Sequence, residues 1–120
     1  MNAKLYSVAQ LILKELDRIE DITIGVDTTE FYFIYKDTIF SILKREEPIA
    51  FGLYSLYLYP KAKDIGYLKD QFEGSDPETI FMLSMHANES TSYQIILAKI
   101  YNEVYEKYLG LDELFENLLS

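Results

Sequence analysis

The sequence predicts an α+β domain, an antiparallel sheet of four to five strands with N- and C-terminal helices packed on one face. Three observations carry this. Residues 31–35 read Phe-Tyr-Phe-Ile-Tyr and residues 51–59 read Phe-Gly-Leu-Tyr-Ser-Leu-Tyr-Leu-Tyr, two aromatic runs suited to strands. Residues 3–20 and 91–109 repeat apolar side chains at helical spacing, one segment near each end. Turn-forming residues divide the stretch between them into short pieces. A length of 120 residues suits a single domain spanning 1–120.

Residues 3–20 form the first expected helix, with Leu5, Val8, Ile12, Leu16 and Ile19 as its apolar stripe and Asn2 as its cap. Residues 22–26 are a short β-type run, Asp27-Thr28-Thr29 a turn, and residues 30–36 a strand. Lys36-Asp37 is the expected tight hairpin connection, although it lacks the preferred glycine. The returning strand is 38–44, Arg45-Glu46-Glu47-Pro48 a polar turn, and 49–59 the longest strand, ended by Pro60. Asp64 caps an expected short helix carrying Ile65, Leu68 and Phe72. Residues 79–86 fit a helix after Asp-Pro-Glu but alternate as a buried strand does; strand is the favoured reading. Residues 91–109 are the clearest helix, with Thr91 and Gln94 spaced as a capping box and Gly110 as the left-handed residue after its end. Asp112 caps an expected last helix carrying Leu114, Phe115, Leu118 and Leu119.

Alternation along strands sends Phe31, Phe33 and Tyr35 one way and Tyr32 and Ile34 the other. It likewise separates Leu53, Tyr57 and Tyr59 from Tyr54, Leu56 and Leu58. Both sheet faces are therefore apolar, and the chain has helix enough for one. The expected interaction face is drawn from Tyr32, Tyr54, Tyr57 and Tyr59. The composition agrees: 11 Tyr and 7 Phe supply side chains suited to half-buried contacts.

The formal charge is −9, from 20 acids and 11 bases. The second half is the more acidic, and Asp70, Glu73, Asp76 and Glu78 form a candidate acidic patch in a span without Lys or Arg. Nucleic-acid backbones and anionic lipids call for cations, so neither is an expected partner. A basic protein partner is. The absence of Cys excludes disulfides, thiol catalysis and Cys-based zinc or iron–sulfur sites in this chain. No basic segment followed by an apolar run opens it, and no 18-residue apolar stretch occurs, so the expected location is cytoplasmic.

Tests for chemistry fail one after another. His86 is the only histidine, and no nucleophile elbow surrounds Ser84, Ser90 or Ser92. The Asp70–Glu78 acids are spaced three, three and two apart, unlike the alternating ligands of a calcium loop. A helix followed by three strands is a nuclease-like order, but Ile34 and Ile42 stand where that chemistry needs Glu two residues before Lys36 and Lys44. The five glycines are too scattered for a phosphate loop. No catalytic residue, metal ligand or cofactor is expected.

The expected function is a non-enzymatic acidic protein-binding module, a homodimeric adaptor, chaperone or inhibitor of a basic protein. In profile alone it resembles type III secretion chaperones and toxin immunity proteins, with no motif specific to either. The alternative is a small-molecule sensor or enzyme subunit with a pocket lined by Tyr54, Tyr57, Tyr59, Tyr101 and Tyr105.

Overall fold

Five consecutive strands form an antiparallel meander, each paired with the next in the order β1-β2-β3-β4-β5, as seen in a computed structural model. The structure describes residues 2–25, 29–49, 52–60, 64–66, 83–86 and 91–120. Helix α1 (Asn2–Lys14) precedes β1 (Glu20–Ile24), β2 (Glu30–Tyr35), β3 (Thr38–Ile49), β4 (Gly52–Tyr59) and β5 (Leu83–His86). Helices α2 (Thr91–Leu109) and α3 (Leu111–Leu119) follow. This is the expected α+β class, with terminal helices on one face of the sheet.

Helix α1 is shorter than its periodicity predicts. It stops at Lys14, and a 3-10 turn, Leu16–Arg18, takes up the next residues. Two tertiary contacts hold this break. Lys107 Nζ donates to the Leu16 carbonyl at 2.7 Å, satisfying an acceptor beyond the helix end. The Tyr35 hydroxyl donates to Glu15 Oε1. Asn2 is already the first helical residue, so the helix begins earlier than its expected cap allows.

The β2–β3 hairpin turns at Lys36-Asp37, with φ of 50° and 58°, the paired left-handed values of a type I′ loop. Strand β3 then runs through the segment expected to turn. Arg45 explains the extension: its guanidinium donates to Ser55 Oγ at 2.7 Å and to the Tyr57 hydroxyl at 3.4 Å, clamping β3 to β4. A register shift between Lys44 and Ile49 absorbs the irregularity, and Pro48 lies inside it. Strand β1 begins at Glu20 rather than at residue 22 and is also bulged, with Asp21 at φ 53° and Thr23 Oγ1 bonded to the Asp21 carbonyl at 3.0 Å.

Residues 83–86 are strand, as favoured; 79–82 lie outside the described residues. So do the expected turn residues Asp27 and Thr28 and most of the expected short helix, of which Ile65 and Gly66 are helical. Helix α2 keeps its expected bounds. Gln94 does not act as a cap: its side-chain amide reaches β4, accepting from Leu53 N–H at 3.2 Å and Tyr54 N–H at 3.0 Å. Gly110 has φ 68° and is itself the residue before α3, which starts at Leu111, so Asp112 lies within the helix rather than capping it.

Both faces of the sheet are packed. On one, Leu5, Ala9 and Ile12 of α1 and Leu97, Ile100 and Val104 of α2 cover Phe31, Phe33, Phe40, Ile42 and Leu56. Tyr101, Tyr105 and Tyr108 set their rings 5.2–5.7 Å from that of Phe31. On the other, Ile65 packs with Tyr32, Ile39 and Tyr59. Every buried side-chain nitrogen and oxygen among the described residues has a partner.

Candidate interaction surface

The tyrosines proposed as an exposed face divide between the two sides of the sheet. Strand parity places Tyr32, Tyr57 and Tyr59 together. Tyr54 lies on the helix-covered side, 5.8 Å from the Tyr101 ring, with Lys44 Nζ 6.0 Å above both. Nor are they all open to solvent: Tyr32 is 1% and Tyr59 2% exposed. Alternation was enough to separate Tyr54 from its neighbours, whereas the covering of Tyr32 by Ile65 is a contact between residues 33 apart in sequence.

A polar chain explains how hydroxyls are tolerated there. Tyr59 OH lies 2.9 Å from Ser41 Oγ, which donates to Glu30 Oε2 at 2.9 Å. With Ser41 donating onward, Tyr59 supplies the proton between them. Burial, reinforced by the Glu30 charge, holds the Tyr32 phenol well above its ordinary pKa. Burial does the same to Tyr59. Both phenols therefore stay neutral across the physiological range, as donors rather than as bases. The chemistry of this face is that of a satisfied core.

A second polar cluster ties α1 to the hairpin. Glu15 meets Arg18 at 2.9 Å and Lys36 at 4.0 Å besides accepting from Tyr35. The Tyr35 bond, aided by those cations, holds the Glu15 carboxyl below its ordinary pKa. Burial and Glu15 push Tyr35 up to about 12. A surface groove of about 400 Å3 beside it is lined by Asp17, Arg18, Glu20, Ile34, Lys36 and Asp37, whose charges of both signs favour neither anion nor cation.

The acidic patch Asp70, Glu73, Asp76 and Glu78 lies outside the described residues. Among the described residues no group of three His, Cys, Asp or Glu side chains is arranged to hold a metal ion. His86 stands opposite Ser55 in the β4–β5 ladder. The tyrosine-lined pocket is not assembled: Tyr54, Tyr101 and Tyr105 are on the helix side, Tyr57 and Tyr59 on the other.

Among the described residues the most exposed apolar cluster is on α3. Leu114, Phe115, Leu118 and Leu119 of α3 are 48%, 52%, 70% and 87% exposed. Positions 114 and 118, and 115 and 119, recur one helical turn apart, so the four make one stripe. Tyr105, Tyr108 and Leu109, just before the Gly110 turn, are exposed as well. Helical periodicity announced this stripe but not that it would lack a covering surface. No helix among the described residues is long and apolar enough to cross a membrane. No protein-family model, curated protein or solved structure matches the chain.

Proposed function

We propose that this chain is a non-enzymatic protein-binding module, a homodimeric adaptor, chaperone or inhibitor of a basic protein. The observation that carries this reading is the exposed stripe Leu114, Phe115, Leu118 and Leu119 on a short helix. Clustered exposed apolar side chains mark contact surfaces, whereas isolated ones do not. Burying a Leu or Phe contributes roughly 1.5–3 kcal/mol, so four of them are enough to drive association. The net charge of −9 supports a basic protein as the further partner, with neither nucleic acid nor a membrane, and a cytoplasmic location.

The sensor or enzyme-subunit reading has no comparable support, because its five tyrosines do not line one space. Sedimentation at micromolar concentration tests the dimer. Twice the chain mass of 14.0 kDa is expected, falling to 14.0 kDa for Phe115→Lys. A wild-type chain sedimenting only at 14.0 kDa would remove the homodimeric reading.

A further inference from the structure

The helices sort their charges by sign. Helix α1 and residues 91–102 of α2 carry Lys4, Lys14 and Lys99 and no acid. Residues 103–120 carry Glu103, Glu106, Asp112, Glu113 and Glu116 against the single base Lys107. Lys107 is bonded to the Leu16 carbonyl. A molecule of net charge −9 thus has one lysine-bearing helical surface and one acidic helical end.

An open groove of about 540 Å3 lies on the lysine-bearing surface, lined by Ser7, Gln10, Leu11, Leu13, Lys14 and Ile96. Its lining is apolar at Leu11, Leu13 and Ile96, with a cation at Lys14. Lys4, Ser7, Leu11 and Lys14 follow one another at helical spacing, so the cations flank the apolar position along α1. Helix α3 is the complement, an apolar stripe bordered by carboxylates.

The α3 of the same chain does not span the groove as far as Ile96. Ile96 precedes Leu109 by thirteen residues, or roughly 20 Å of helix at 1.5 Å per residue. Helix α3 has nine residues and is roughly 13 Å long. Folded back about Gly110, it still stops short of Ile96.

We propose that α3 of one copy seats in the α1–α2 groove of a second copy, and that the exchange is reciprocal, closing a twofold dimer. Leu114, Phe115 and Leu118 enter the groove, and Glu113 and Glu116 meet its lysines. The inference rests on the homodimeric reading and names the contact that makes the dimer.

Two full-length variants test it, each altered at an exposed residue and checked for an unchanged circular-dichroism spectrum. Phe115→Lys spoils the helix and leaves the groove; Leu11→Glu spoils the groove and leaves the helix. Loss of a central apolar anchor weakens a contact roughly 30-fold, and each variant homodimer loses it at both contacts, so each alone is expected to raise the dimer dissociation constant by roughly 900-fold. Mixed in equal amounts, they are expected to form a heterodimer, because one helix–groove contact of the two remains intact. A Leu11→Glu chain that dimerises as wild type does would overturn the inference while leaving the homodimer standing. So would a mixture still monomeric at about a hundredfold the wild-type dissociation constant, which allows for the loss of one of two contacts. A monomeric wild type would overturn the homodimeric reading and this inference together. Growth beyond the dimer would overturn the reciprocal closure.

Discussion

Gln94 pairs with the backbone of Tyr54 as a neighbouring strand would. Its Oε1 accepts from the Tyr54 N–H at 3.0 Å and its Nε2 donates to the Tyr54 carbonyl at 3.1 Å. Among the described residues the β4–β5 ladder runs from Leu58 to Ser55, and Tyr54 is the next residue along β4. One helical side chain therefore satisfies the β4 backbone next to the described ladder, and fixes α2 against β4. Gln94→Leu keeps the bulk and removes the bonds. It is expected to destabilise the fold by about 1–3 kcal/mol, the range for unpaired buried polar groups. The urea midpoint measures this, and an unchanged midpoint would show that water serves those groups equally well.

The Glu15–Tyr35 pair makes stability fall at both ends of the pH scale. Glu15 has a lowered pKa in the folded chain, so its contribution is present above the ordinary value of 4.5 and is lost as pH falls through the folded value. Tyr35 is raised to about 12, so its contribution is present below the ordinary value of 10.0 and is lost between there and about 12. Tyr32 and Tyr59, also raised, add to the alkaline loss. Tyr35→Phe is expected to flatten the acid limb and to reduce the alkaline one. Unfolding free energies measured from pH 3 to 11 would reveal it; an acid limb identical to wild type would mean that Glu15 gains nothing from the phenol.

The hairpin at Lys36-Asp37 holds two side-chain-bearing residues in left-handed conformation. Each such residue is disfavoured by about 1–2 kcal/mol, less for Asp. Asp37→Gly is expected to stabilise the protein by about 0.5–1 kcal/mol, raising the melting temperature by a few degrees. A lower melting temperature would imply that the Asp37 side chain contributes more than its backbone strain removes.

Ending the chain at Gly110 is expected to leave the melting temperature of the monomer nearly unchanged. From its periodicity alone, α3 reads as a packed helix whose loss would unfold the domain. The exposure of Leu114, Phe115, Leu118 and Leu119 reverses that expectation, because little burial is lost with them. Melts at submicromolar concentration decide it; a drop of ten degrees would restore a packing role.

Duplex DNA is not expected to bind at physiological salt. Lys4, Lys14 and Lys99 are the cations of the helical surface, too few to outweigh the net charge of −9. Fluorescence anisotropy with an arbitrary duplex would show a micromolar, salt-sensitive complex if those lysines sufficed.

Local pattern was legible where the physics is local. Residues 91–109 carry a full helical stripe and end at Gly110, and both bounds hold. The hairpin was legible without glycine because alternation on either side leaves two residues for the turn. What was hidden depends on distant partners. Arg45 looks like a turn residue until Ser55 and Tyr57 lie beside it. Gln94 has capping-box spacing from Thr91, yet β4 offers its amide stronger employment. Leu16 looks mid-helical until Lys107 reaches its carbonyl. The exposure of α3 was hidden for the same reason, since a stripe such as Leu114–Leu118 does not reveal whether anything covers it.

The chain order of the strands is also an order of events. Strands β1 to β4 each pair with the next through a short connection, so that part of the meander assembles from contacts close in sequence, which form quickly, while the β4–β5 partners lie 25 to 31 residues apart. Helix α1 is different: Tyr6 meets the ring of Tyr93 at 4.4 Å, across almost the whole sheet-forming stretch. During synthesis α1 emerges before the strands and α2 after them. Leu5, Ala9 and Ile12 must then stay wet while the strands are made, and the polypeptide can close its helical layer only once α2 has followed them.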